Sequence, residues 1–151
     1  MLIAAILICQ IIGNIGTLFT YPALAGWYSA LHKPSFNPPD WVFGPVWLIL
    51  YTLMGISLYL AWSSPKRIKS SDRYLIPFWI QLLLNPLWSF LFFGLRSPLY
   101  GLIGIAALWI TIMITIIRFS RISRNAALLL VPYIFWVSFA IVLNFYVWKL
   151  N

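Results

Sequence analysis

Five stretches of the chain are apolar almost without a break, from about Leu2 to Leu24, Val42 to Trp62, Tyr74 to Phe93, Leu99 to Phe119 and Ala126 to Trp148. Each is long enough to cross a hydrocarbon core, which takes roughly 20 residues of helix. A lipid-exposed segment must satisfy its backbone polar groups internally, so each stretch is predicted to be a transmembrane α-helix. The connections are too short to hold a second domain. Residues 1–151 are therefore expected to form one all-α membrane domain, a five-helix bundle. The first stretch lacks the basic leader of a signal peptide and exceeds its apolar core, so it counts as a helix of the bundle.

The polar punctuation between the stretches marks helix ends. Pro38 and Pro39 close the first connector, and Asp40 is placed to cap the second helix, where a carboxylate meets free N–H groups and the positive end of the dipole. Asp72 stands similarly before the third helix. Ser97 followed by Pro98 is a good start for the fourth, since proline at the first helical position gives up no hydrogen bond. The segment Ser63 to Arg73 is polar and basic and suits an anionic headgroup surface. Pro45, Pro86 and Pro132 fall within or near the start of predicted helices, where each kinks the helix or frees a carbonyl. Gly104, Ala107, Thr111 and Thr115 form a small-residue row on the fourth helix, open to packing within the bundle or between two chains. Gly13 and Gly16 point to close packing of the first helix. No internal repeat is present.

Composition agrees with the pattern: 63% of residues are hydrophobic and only 8% charged, with a mean hydropathy of +0.94. A soluble domain carries about 25% charged residues. The net charge of +8 would suit nucleic acid, but the basic residues flank the apolar stretches, where membrane orientation explains them. Lys66, Arg67, Lys69, Arg73, Arg118, Arg121 and Arg124 fall on one side, and Lys33, Arg96 and Lys149 on the other. The N-terminus is therefore expected in the cytoplasm, with the 27–41 connector and the C-terminus outside. Membrane lipids, not nucleic acid, are the expected surroundings. Cys9 is the only cysteine, which excludes an internal disulfide and a cysteine-based metal site.

The chemistry is narrowed first by what is missing. The two carboxylates, Asp40 and Asp72, sit at predicted helix ends, so no mid-membrane acid supports a proton relay or ion site. His32 is the single histidine and lies in the connector, which excludes a multi-histidine metal site or bis-histidine haem ligation; no metal is expected. A mid-membrane lysine for a Schiff base is missing, as are the partners of a serine triad.

Aromatic and amide side chains remain, and they fall in register. Gln81, Asn85, Trp88 and Phe92 recur at three- and four-residue intervals on the third helix. Trp47 and Tyr51 share a face of the second, and Trp136, Ala140 and Asn144 a face of the fifth. Since alternate helices run in opposite directions, Trp47, Trp88 and Asn144 are expected in the same half of the membrane as the connector, with Trp136 just beneath. Trp27, Tyr28, Trp62, Tyr74 and Trp148 fit the aromatic belts found at membrane surfaces. Asn85 and Asn144 suit either a ligand or bonds between helices. Large rings with a few fixed amides on converging faces describe a pocket for flat apolar molecules.

Three of these segments, WYSALHKPSFNPPDWVFGPVWLILY, QLLLNPLWSFLFF and VPYIFWVSFAIVLNFYVW, resemble successive signatures of the TspO/MBR family, the tryptophan-rich sensory proteins that include the mitochondrial translocator protein. The resemblance spans all five helices. It implies a five-helix bundle, usually a homodimer, that binds porphyrins such as protoporphyrin or haem beneath the first connector and requires no cofactor. In eukaryotic relatives it also implies cholesterol and benzodiazepine-type drugs. Carried over by position, the pocket tryptophans are Trp47, Trp88 and Trp136 and the small residue beside the ligand is Ala140; Asn85, Leu143 and Asn144 lie in matching helix motifs. A loose sterol-type pattern is formed by Leu143, Tyr146 and Lys149. The short chain and basic cytoplasmic loops look bacterial, so cholesterol is not the expected natural ligand. Some bacterial relatives degrade protoporphyrin in light, a reaction assigned to tryptophans matching Trp47 and Trp136. The resemblance thus leaves a sensor or regulator of tetrapyrrole metabolism as the leading expectation and a light-dependent enzyme as the alternative. A tetrapyrrole or lipid transporter is a third, with no broken-helix repeat to support it.

Overall fold

The computed structural model describes residues 1–66 and 72–151, and among these every regular element is helical. Five helices are long and apolar enough to cross a membrane: α1 (Leu2–Tyr28), α2 (Asp40–Trp62), α3 (Asp72–Gly94), α4 (Pro98–Ile122) and α5 (Arg124–Leu150). Their ends agree with the expected stretches to within about one turn. Arg67 and Lys69, which entered the charge count, lie outside the described residues.

Helix ends follow local chemistry, with one correction. Asp40 does not cap α2; Pro39 occupies the cap position without a side-chain bond, and Asp40 is the first helical residue. The prolines fix the cap backbone, which leaves Asp40 to act on the helix dipole from within the first turn. Ser97 does cap α4, its hydroxyl accepting from Tyr100 N at 3.3 Å, with Pro98 in the first turn. Ser123 starts α5 in the same way, accepting from Ala126 N. The α3–α4 turn is tight enough to force Arg96 to φ 51°. Two prolines lie two and four residues before wide turns: Pro22 precedes a π-helical turn at Leu24–Tyr28, and Pro86 one at Phe90–Gly94.

The helices form a ring. α1 packs on α2 and α3, α3 on α4, α4 on α5, and α5 on α2 through its first turns, Arg124–Leu129. Side-chain bonds tie the helices together at the Trp62 end, where Ser57 Oγ donates to Ala126 O at 2.7 Å and Ser64 Oγ to Ile122 O at 2.6 Å. α1 and α2 touch at Gly55, where an added Cβ would sit 2.4 Å from Ile6 Cα. Toward the connector α2 and α5 diverge, and space opens between them.

The outer surface is apolar as well as the core, and a few polar side chains are buried. Ile103, Ile110, Ile114 and Ile117 of α4 face outward, while Ser57, Gln81, Asn85, Thr115 and Asn144 are buried. The small-residue row on α4 straddles this boundary: Gly104 and Thr115 are buried, whereas Ala107 is exposed. At Gly104 the role is internal packing, since a Cβ there would lie 2.7 Å from Leu91 Cδ1.

Candidate ligand-binding site

A polar knot at the bundle centre fixes the floor of the site. Tyr51 of α2 donates its hydroxyl to Asn85 Oδ1 of α3 at 2.7 Å, and Asn85 Nδ2 donates to the Tyr133 hydroxyl of α5 at 2.9 Å. All three side chains are buried. One amide thereby joins three helices, and its two ends are used in opposite senses. The Tyr51 ring lies directly over Gly13 of α1, where a Cβ would fall 2.2 Å from Tyr51 Cζ. Glycine is required here by close approach of the ring.

From this floor a cavity of about 560 Å³ extends toward the connector, lined by α1, α2, α3 and α5. Its walls carry two stacked aromatic pairs, Trp47–Tyr51 with centroids 5.5 Å apart and Trp88–Phe92 at 5.7 Å. Each pair is an i, i+4 neighbour on its own helix, so helical geometry alone aligns the rings. Asn144 is held by its Nδ2 bond to Pro98 O at 2.7 Å and receives Trp88 Nε1 at a long 3.4 Å.

The connector is pinned at several points. Phe36 packs on Tyr146 and Phe139 with centroids 5.4 and 6.4 Å apart. Lys33 Nζ sits 4.0 Å over the Tyr28 ring. The backbone of His32 exchanges two hydrogen bonds with the Asn151 side chain, at 3.0 and 2.9 Å.

Seven of the eight residues expected to bind the ligand line this one cavity: Trp47, Tyr51, Asn85, Trp88, Ala140, Leu143 and Asn144. Trp136 does not. It packs between Phe43 and Phe139, with centroids 5.8 and 5.6 Å away. The reason is angular: each four-residue step overshoots a full turn by about 40°, so Trp136 and Asn144, two steps apart, point in clearly different directions. Tyr146 and Lys149 also lie outside, both exposed, so the sterol-type pattern shares only Leu143 with the cavity. Tyr28 departs from its expected place in the surface belt, since it is buried and lines the cavity.

The largest omission of the sequence reading is α1, whose Gln10, Asn14, Thr17 and Thr20 form a wall. The available signal was polar residues at three- and four-residue spacing inside an apolar span, a pattern that marks function in membranes.

A family model for the TspO/MBR family matches residues 5–149. The chain belongs to the TspO/MBR family. A TspO/MBR relative named tryptophan-rich protein TspO, from Chlorobaculum tepidum, is 46% identical over 95% of this chain and 91% of its own length. Another of that name, from Archaeoglobus fulgidus, is 46% identical over 99% of this chain and 96% of its own. The human translocator protein is 35% identical over 91% of this chain and 82% of its own length. With five apolar helices and this membership, the protein is an integral membrane protein.

Proposed function

We propose that this TspO/MBR protein binds porphyrin- or haem-type tetrapyrroles, and other flat apolar molecules, in the cavity beneath the connector, and acts as a sensor or regulator of tetrapyrrole metabolism. The observation that carries the reading is the cavity itself: about 560 Å³, with Trp47–Tyr51 and Trp88–Phe92 as aromatic walls and Asn85 and Asn144 as fixed amides. Its volume falls in the range of roughly 300–1,000 Å³ typical of small-molecule sites, and aromatic walls joined to fixed polar groups are the usual composition. A flat ring slid between the two walls gains stacking contacts worth about 0.5–1.5 kcal/mol each beyond its buried area. The test is quenching of tryptophan fluorescence by protoporphyrin. Trp47→Leu and Trp88→Leu should each weaken binding by about two- to tenfold. If neither changes the affinity, the ligand sits elsewhere.

Light-dependent degradation of a bound porphyrin is a second reading, favoured by Trp47 at the cavity wall. Trp136 packs behind Phe43 and gives it no comparable support. A defined product formed under light, lost in Trp47→Phe while binding persists, would support it. Bleaching at the same rate in detergent without protein would reject it. We also place the connector and C-terminus outside the cytoplasm, on the count of seven basic residues against three. Terminal epitope tags with the reverse accessibility would overturn that orientation.

A further inference from the structure

The α1 wall of the cavity has a direction that its hydrogen bonds dictate. Gln10, Asn14, Thr17 and Thr20 line the cavity, and each commits its donor to a main-chain carbonyl, a group that can only accept. Gln10 Nε2 donates to Leu48 O at 2.9 Å and to Thr52 Oγ1 at 3.1 Å. Asn14 Nδ2 donates to Gln10 O at 2.7 Å. The hydroxyls of Thr17 and Thr20 donate to Asn14 O and Gly16 O, at 2.6 and 3.1 Å. Because the carbonyl partners fix both amide orientations, Gln10 Oε1, Asn14 Oδ1 and the lone pairs of two hydroxyls remain. They form a row of acceptors, with a single N–H of Asn14 left over as a donor.

The charges lining the cavity point the same way. Its one ionisable carboxylate is Asp40, and among the described residues no Lys, Arg or His lines it. The facing α5 surface contributes Ala140, Leu143 and Val147, together with Asn144, whose oxygen and nitrogen already have partners. Unmatched acceptors beside a hydrocarbon phase are costly, and a ligand edge bearing donors would relieve them.

Resting on the cavity reading above, we propose that the α1 wall sets ligand specificity. It takes the edge of a flat molecule that carries hydrogen-bond donors, O–H, N–H or a protonated amine, while the apolar plane faces Trp47 and Trp88. Ligand carboxylates are disfavoured along this wall, which offers acceptors and, among the described residues, no Lys, Arg or His.

The test uses one scaffold, anthracene, carrying an aminomethyl, a methyl or a carboxylate substituent, titrated against the purified protein by fluorescence. The aminomethyl compound should bind about tenfold or more tightly than the methyl compound, and the carboxylate most weakly. In Asn14→Leu/Thr17→Val the first two should converge to within about threefold, with the parent's helical circular dichroism and unfolding transition retained as evidence of an intact bundle. Thr17→Val alone, nearly isosteric, serves if the double variant does not fold, and should narrow the gap in part. Equal binding of all three compounds, or an order that survives these variants, overturns the inference. So does an amine preference abolished by Asp40→Asn but untouched in the α1 variants, which would assign it to charge alone. Failure of all three compounds to bind instead overturns the cavity reading beneath it.

Discussion

Gly13→Ala is the smallest change with the largest predicted reach. The new Cβ would lie 2.2–2.4 Å from three carbons of the Tyr51 ring, so the ring must move by more than 1 Å to restore ordinary contact. Tyr51 is not free to do so. Its hydroxyl is bonded to Asn85 Oδ1 at 2.7 Å and its ring is stacked on Trp47. Overpacking a filled site costs about 1–3 kcal/mol, and a lost interhelical bond in a membrane protein about 0.6–2 kcal/mol. Together they predict a loss of about 2–5 kcal/mol, measurable by reversible unfolding in mixed micelles. Since Trp47 would be displaced with Tyr51, protoporphyrin affinity should also fall, by about tenfold. Gly26→Ala is the control, because nothing lies within 4 Å of a Cβ at that site; it should change stability by about 1 kcal/mol or less. If Gly13→Ala matches Gly26→Ala in both stability and affinity, Tyr51 is not seated on α1 and the argument fails.

Further changes test other parts of the bundle. Gly55→Ala meets the Ile6 backbone rather than a movable ring, so α1 and α2 must separate, at about 3 kcal/mol or more in the same unfolding assay. Asn85→Leu strips the Tyr51 and Tyr133 hydroxyls of their shared partner and should cost about 1–3 kcal/mol. Gln81→Leu should be neutral or stabilising, because both polar atoms of Gln81 are buried without a hydrogen-bond partner among the described residues; a loss comparable to that of Asn85→Leu would refute this. Asn151→Ala removes the clamp on His32, and limited proteolysis should then cut within 29–39 several times faster, with unfolding little changed.

Span positions were legible because the membrane imposes a length and forbids unsatisfied backbone. The α3 face was legible in part: of Gln81, Asn85, Trp88 and Phe92 at helical spacing, the last three line the cavity and Gln81 is buried outside it. What escaped were features set by relations between helices. Trp136 shares nominal spacing with Ala140 and Asn144, yet angular drift turns it toward Phe43. Asp40 reads as a cap, but the rigid Pro38–Pro39 pair shifts the helix start by one residue. Gln10, Asn14, Thr17 and Thr20 form a row on α1, but only the cavity that α1 shares with α2, α3 and α5 makes that row a wall. Gly13 suggested close packing, and the structure supplies the partner, the Tyr51 ring.

Filling the cavity is the most direct test of the claim that it holds the ligand. Ala140 lines it and is 8% exposed, so Ala140→Trp should place an indole where the flat ring would lie. Ile103→Trp, on the outward face of α4 at 60% exposure, adds the same group to the lipid side. Protoporphyrin titration should show binding weakened at least about tenfold in Ala140→Trp and unchanged in Ile103→Trp, with both variants retaining the helical circular dichroism of the parent. Wild-type affinity in a folded Ala140→Trp protein would contradict the account.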